Sequence, residues 1–400
     1  MVEKTVRMIE RRVLRPRIWL LLGLWIGLGM VLVRSSAIRT TAQDSGVQSM
    51  CPAPSLTPRG ASFQPGGIIL TAFDRDSLWV YDIDNDRRYP LPDTAPCIRG
   101  CRLSPNFRQL TYYNAPTQAF NLMNLNGTGR TFLTDAASDL EWWGANHFLL
   151  WTPGHNAYTF TPGSTDRQDY DVREIGSVQP NGSWGLRLTA NTRGDGFTRS
   201  LVNFNDNERT VNLGADIAYY NARAWSPDGH TLAYVAPMPI DPGAMGSEIR
   251  LVRPDETPNE PTTLTGLYSA YGPVRINGLS LGELSWSPDG LKIAFWVVPL
   301  TDADPTVNTG PGTIHVVDVA TGQMRSYCGF TTPNVTPNPP RLIWSPDSTN
   351  VAFAGDVPGD VYGVLLLALN TETGVFTQLS DGIYPALGQP NVYMWGLPPG

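Results

Sequence analysis

Lysine, histidine and charge in general are what this sequence has least of. Only Lys4 and Lys292 are lysines among 29 basic residues, histidines number four, and charged residues make up 16% of the 400. His147, His155, His230 and His315 are scattered with no ligand spacing, which leaves no metal motif and no cofactor motif to follow. Eight basic and two acidic residues fall in the first 39 positions, so the remainder carries 21 basic against 34 acidic residues. A surface with that excess of carboxylate repels a phosphate backbone, and nucleic acid is excluded as a partner. Beyond the first forty or so residues, long helical periodicity is also missing.

What is plentiful is turn and sheet material. There are 39 glycines, 35 prolines, 12 tryptophans and 15 tyrosines, and large flat side chains suit a pleated, half-buried surface. The expected class is all-β.

The N-terminus stands apart. Residues 1–17 form a basic segment (Lys4, Arg7, Arg11, Arg12, Arg15, Arg17), and residues 18–33, "IWLLLGLWIGLGMVLV", hold no charge. As a helix the apolar run reaches about 24 Å, somewhat short of a hydrocarbon core of about 30 Å. Basic residues stay on the cytoplasmic side, which puts everything after Val33 outside. Small-residue sites at Ser35–Ala37 and Thr40–Ala42 leave two readings open: a single-pass signal anchor in the cell membrane, or the core of a cleaved signal peptide and a secreted protein. Residues 34–65, rich in Ser, Thr, Pro and Gln, read as a flexible linker. Outside the membrane, cysteines form disulfides. Of the four (Cys51, Cys97, Cys101, Cys328), Cys97 and Cys101 in "CIRGC" are close enough for a local bridge.

From residue 66 to 396 the chain repeats itself. "WSPDGHTLAY" from Trp225 returns as "WSPDGLKIAF" from Trp286 and "WSPDSTNVAF" from Trp344. In each copy Pro227, Pro288 or Pro346 pre-sets φ near −65° for a turn, and Asp228, Asp289 or Asp347 follows. Gly229 and Gly290 supply positive φ, and Ser348 stands in the third copy. The alternating apolar tail is the returning strand, and Trp225, Trp286 and Trp344 are placed to pack between neighbouring sheets. Weaker copies begin at Leu103, Trp142 and Val178. With a second strand pair after each turn, the unit is four antiparallel strands, the spacing of a propeller blade. Seven sets of three strands begin near Ile68, Gln109, Phe148, Leu186, Leu232, Ile293 and Val351; the C-terminal "YPALGQPNVYMW" supplies the strand missing from the first. The expectation is a seven-bladed β-propeller closed by its C-terminal strand.

These "WSPDG…IAF" repeats resemble those of the TolB-like β-propellers over about 330 residues. The resemblance implies the fold and leaves function open, because such propellers serve as interaction modules of the bacterial cell envelope, as domains attached to peptidases and, in a few cases, as lyases.

No catalytic constellation emerges. "GLSLG" at Gly278–Gly282 matches a nucleophile elbow in letters, but strand and turn follow it where helix is required. "DIDND" at Asp82–Asp86 has Arg87 where a calcium loop needs glycine. The long connections gather on the face opposite the "SPDG" turns. They bring Tyr219, Tyr220, Tyr268 and Tyr271 beside polar loops carrying Asp241, Asp302 and Asp304. Those seven are the candidate binding residues, for a protein partner or, with tyrosines stacking on sugars, for a glycan. The expected function is a non-enzymatic recognition module outside the membrane. The alternative is a carbohydrate-binding or polysaccharide-cleaving propeller.

Overall fold

The computed structural model describes the chain from Gly46 to Gly400 except residues 52–55, 61–62, 73–76, 95–99, 154–155, 172–174, 191–196, 207–208, 217–221, 242–243, 278–282, 301–311, 329–338, 357–363 and 384–391. The basic segment, the apolar run, Cys97 and "GLSLG" lie outside the described residues.

Seven antiparallel sheets follow one another along the chain, each a blade. Blade 2 shows the plan: Arg102–Leu103, Gln109–Asn114, Ala119–Asn124 and Thr131–Thr134, each strand paired with the next. Blade 1 takes its first strand from the other end of the chain. Val392–Gly396 pairs with Ile68–Ala72 in register Ile69↔Trp395, which closes the ring as the repeat count required. The second strands of the remaining blades start at Phe148, Trp184, Leu232, Lys292 and Asn350, within two residues of the sequence positions.

The repeated turn works by side-chain capping. Ser226 Oγ lies 2.5 Å from Asp228 Oδ1 and accepts from Thr231 N at 3.0 Å, while Asp228 accepts from His230 N at 3.0 Å. The same bonds recur at Ser287–Asp289 and Ser345–Asp347. In blade 2, Ser104 and Asn106 reproduce them. The last turn residue has positive φ in four blades: Gly229 76°, Gly290 72°, Ser348 61° and Phe107 62°; in blade 4 the positive φ falls one residue earlier, at Asn181 (56°). A non-glycine residue there costs about 1 kcal/mol. Ser348 offsets the cost, because its Oγ accepts Asp289 N of the neighbouring blade at 3.1 Å. Glycine is required at Gly229 for a second reason, since a Cβ would lie 2.5 Å from the Pro180 carbonyl oxygen.

Each blade buries both faces against its neighbours. Val235, Ile249, Phe295 and Val297 fill the seam between blades 5 and 6; Ile69, Leu366 and Trp395 fill that between blades 7 and 1. The seam between blades 3 and 4 is the thinnest, with Leu149, Ala157 and Val178 at its centre. Repeat tryptophans staple the inner strands across seams. Trp142 Nε1 donates to Arg102 O (3.1 Å), Trp286 to Ala224 O (3.0 Å) and Trp344 to Ser285 O (2.9 Å), in each case on the preceding blade. Trp225 Nε1 is buried with no such acceptor, at the one of these seams where the preceding inner strand, Ile175–Val178, carries a register shift.

Two segments differ from the sequence expectation. The stretch from Ala236, expected as a loop, is a hairpin paired out to Asp241↔Ala244. Pro237 and Pro239 are tolerated because their missing N–H groups fall on the edge facing away from the paired strand, as shown by Val235 N donating to Ala222 O on that edge. The described part of the expected linker is ordered as strand. Val47–Met50 (β1) adds in parallel to the outer edge of blade 6, and Leu56–Pro58 (β2) in parallel to the outer edge of blade 7. Composition concealed this because the strap is held by main chain, with Gln48, Ser49, Thr57 and Pro58 exposed and only Val47, Met50 and Leu56 packing onto the blades. Cys51 and Cys328 fasten it with a disulfide. Cys101 is disulfide-bonded as well.

The Cys51–Cys328 bridge closes a sequence separation of 277 residues. Cross-linking so long a loop restricts the unfolded chain by roughly 5 kcal/mol. The double variant Cys51→Ser, Cys328→Ser is expected to lose stability of that order in urea titrations while keeping the wild-type near-UV dichroism, because ring closure by Val392–Gly396 does not involve either sulfur.

Candidate functional site: the charged central channel

The first strand of each blade faces the axis of the ring, and charged residues recur on or just before these strands. Arg102 belongs to blade 2, Asp139 and Glu141 to blade 3, Arg223 to blade 5, while Glu283 and Arg341 lead into the inner strands of blades 6 and 7. Arg102, Arg223, Glu283 and Arg341 stand two to four residues before their capped turns, and Asp139 and Glu141 just before the uncapped turn of blade 3.

Two loose ion pairs form there. Arg102 Nη2 lies 3.9 Å from Asp139 Oδ2, and Arg341 Nη2 lies 3.7 Å from Glu283 Oε2. Both separations exceed hydrogen-bond reach, and the four side chains are 36–62% exposed, so each pair keeps free donor and acceptor capacity toward water. Screening by that water limits the worth of each pair to a fraction of 1 kcal/mol. Arg341 also lies over the Tyr393 ring of blade 1, 5.9 Å from its centroid. Beside Glu283 and Arg341, between blades 6 and 7, is a cavity of about 60 Å³.

Glu141 is the group that the channel perturbs most. Its side chain is half-buried, and desolvation by the channel walls pushes its carboxyl up to about 7; the nearby Arg102 opposes the shift, while the negative charges of Asp139 and Glu283 add to it. Blades 3 and 6 stand on opposite sides of a seven-bladed ring, so the influence of Glu283 acts across the axis. A carboxyl poised near neutrality, between one wall of Arg102 and Asp139 and another of Glu283 and Arg341, is able to take up or release a proton and to bind polar groups of either sign.

Of the residues singled out from the sequence, the described ones (Asp241, Tyr268 and Tyr271) stand outside this channel. Tyr219, Tyr220, Asp302 and Asp304 lie outside the described residues. Asp241 sits at the tip of the blade-5 hairpin, opposite Ala244. Tyr268 and Tyr271 occupy a short helix, Leu267–Tyr271, near blade 6. Its N-terminus is capped by the buried Glu248, which accepts Leu267 N, Tyr268 N and Thr265 Oγ1. Tyr271 is 42% exposed, but its hydroxyl lies 2.8 Å from His315 Nε2 and its ring meets the imidazole edge-on at 5.4 Å. His315 Nδ1 faces the Thr313 carbonyl at 3.2 Å and must carry the proton, so Nε2 accepts from Tyr271. Burial pushes the His315 imidazole down to about 4. In this pair Tyr271 bonds and packs against His315 while keeping part of its ring exposed.

The channel residues did leave a trace in the sequence. In "CRLSP", "LEWW", "RAWSP", "ELSW" and "RLIW" a charge stands within four residues of the repeat turn, on or just before the inner strand. Read one copy at a time it is an ordinary surface charge. Aligned by the repeat, a charge recurs one to three residues before the tryptophan position in five of the seven blades.

No family model matches the chain, and no curated protein does. Solved structures of like fold include TolB from Acinetobacter baumannii, 14% identical, aligned over 82% of this chain and 67% of that one with a TM-score of 0.42. An oligogalacturonate lyase from Vibrio parahaemolyticus is 14% identical over 79% of this chain and 86% of its own, with a TM-score of 0.49. The hydrazine synthase of Kuenenia stuttgartiensis is 9% identical over 80% and 99%, with a TM-score of 0.44. At these values the likeness is one of fold.

Two pH effects of opposite sign follow. Glu141 holds its proton to a higher pH in the folded than in the unfolded chain, so its favourable contribution is complete below about 4.5 and is lost as pH rises through about 7. Glu141→Gln is therefore expected to match wild type near pH 4.5 and to exceed it at pH 8, by less than the roughly 3 kcal/mol that full burial would give because the half-buried carboxyl keeps contact with channel water, measured by urea titration. His315 stays neutral in the fold to a lower pH than in the unfolded chain, so stability is lost as pH falls from 6.5 through about 4. Wild type should lose roughly 3 kcal/mol across that window relative to His315→Gln, read from midpoints of urea unfolding at pH 7 and pH 4.

Proposed function

We propose that this chain is an extracytoplasmic recognition module, tethered to the cell membrane by its N-terminal apolar segment or released by cleavage after it, that engages a protein partner at an end of its ring. The observation that carries the location is the exposed Cys51–Cys328 disulfide, a bond that persists in oxidising compartments. It lies downstream of a basic block and an apolar run in the order of a signal anchor. Recognition is favoured by the channel's unsaturated donors and acceptors, held on rigid strands, and by the long connections on one face. Specific binding uses such polar groups at the mouth of a rigid scaffold.

A second reading is favoured by one feature, the Glu141 carboxyl near neutrality beside Asp139. Carboxyl pairs of this kind do acid–base work on glycosidic bonds, so binding or cleavage of a glycan remains the alternative.

The experiment is a pull-down with residues Ser45–Gly400 from an extracellular and membrane extract, run beside the charge-reversed variant Glu283→Arg, Arg341→Glu. A protein retained by wild type and lost from the variant is the expected result. Retention of glycan alone, or turnover of a polysaccharide panel abolished by Glu141→Gln, would favour the second reading. In intact cells an impermeant reductant followed by an impermeant maleimide should label Cys51 and Cys328. Labelling only after lysis overturns the location.

A further inference from the structure

We propose that the outer edge of blade 6, ending at Cys328, is a docking site for residues 46–51 of a second copy of this chain, so that two copies exchange straps and are joined by reciprocal Cys51–Cys328 disulfides. The inference rests on the strap alone and not on the recognition role above.

The edge reads main chain. Met324 N donates to Gly46 O at 3.1 Å and Cys328 N to Met50 O at 3.4 Å, bracketing the parallel register Val47↔Met324 to Met50↔Tyr327. Gln48 and Ser49 point to solvent, and Val47 and Met50 are half-buried. Strand addition of this kind takes its affinity from backbone bonds and its register from alternate side chains. Nothing in it distinguishes a strap of the same molecule from that of a neighbour. A second copy is therefore complementary by identity, and in the same register it sets its own Cys51 beside Cys328.

The strap is also free to leave without opening the ring, because the inner closure Ile69↔Trp395 is independent of it. Its fixed point is Arg59, whose guanidinium donates to Tyr81 OH (2.9 Å), to Asp86 (2.9 Å) and to the Ile83 carbonyl of blade 1. Upstream of Arg59, what makes attachment permanent is the disulfide, and both of its cysteines are exposed. Accessible disulfides exchange with thiolates. A low-molecular-weight thiolate attacks Sγ of Cys51, forms a mixed disulfide with it and frees the Cys328 thiolate. That thiolate then attacks Sγ of the mixed disulfide on the other copy's Cys51 and expels the small thiolate. Two protein disulfides break and two form, with no net oxidant. Exchange of identical elements is a low-barrier route to a closed two-fold dimer, and bringing two straps side by side raises their effective concentration.

The test mixes 15N-labelled and unlabelled wild-type protein at high concentration with catalytic glutathione, followed by size-exclusion chromatography and mass spectrometry of cysteine-linked peptides. The expected dimer fraction carries Cys51–Cys328 peptides of which about half join a heavy to a light chain. Exclusively heavy–heavy and light–light peptides, or no dimer, overturn the proposal. Independently, Cys51→Ser and Cys328→Ser copies mixed with oxidised glutathione should yield a disulfide-linked mixed dimer at least tenfold above either variant alone. Gln48→Pro in the copy that retains Cys51 should remove that excess, because it deletes a main-chain donor and leaves the sulfur in place. A mixed dimer indifferent to Gln48→Pro would mean chance collision of thiols and would overturn the docking site.

Discussion

A blade of this ring exists because its neighbours do. Each four-stranded sheet is apolar on both faces, so neither face is satisfied until a second blade covers it, and the only arrangement that covers every face is a closed circle. Closure is therefore the constraint on which the rest depends. The Val392–Gly396 strand supplies it from the inside by completing the first blade, which converts an open stack with two exposed ends into a ring with none. The tryptophan staples follow from it, since each Nε1–H finds its carbonyl on the preceding blade only when the seams are shut.

The strap is a second closure of a different kind. It runs from blade 1 back over the rims of blades 7 and 6 and ends in a covalent bond, so it crosses the junction where the two chain ends meet. Its few half-buried side chains hold it weakly, and the disulfide makes up the difference by limiting the unfolded chain. This division matters for function. A ring closed from inside keeps the channel rigid, while the rim carries the part that can exchange.

Rigidity is also what gives the channel its chemistry. Glu141 would be an ordinary carboxylate on a flexible surface, dissolved in water. Fixed on the inner strand of blade 3, it feels Asp139 beside it and Glu283 across the axis, and is left with desolvation and like charge that Arg102 only partly offsets. The paired Arg102–Asp139 and Arg341–Glu283 stay too far apart to consume their own hydrogen-bonding capacity. His315 shows the opposite outcome at the other end of blade 6, where burial with a complete set of partners gives a neutral, silent imidazole.

The blade plan was legible in the sequence because its signals are local. Turn residues, a nine-residue return to an aromatic and period-two alternation sit within ten positions of one another, so Trp225, Trp286 and Trp344 marked their turns even where Ser348 replaced glycine, and Ser104-Pro105 marked the turn in which Phe107 did. The circular closure was legible too, by counting strands. What only the tertiary structure decided is everything that joins residues far apart in the chain. The strap reads as a linker because main-chain pairing leaves no apolar pattern, and the pairing of Cys51 with Cys328 spans nearly the whole ring. Tyr271 reads as exposed recognition surface, but a histidine 44 positions away holds its hydroxyl. Glu141 comes under the charge of Glu283 only when blades 3 and 6 face each other, a relation between opposite walls that no stretch of sequence contains.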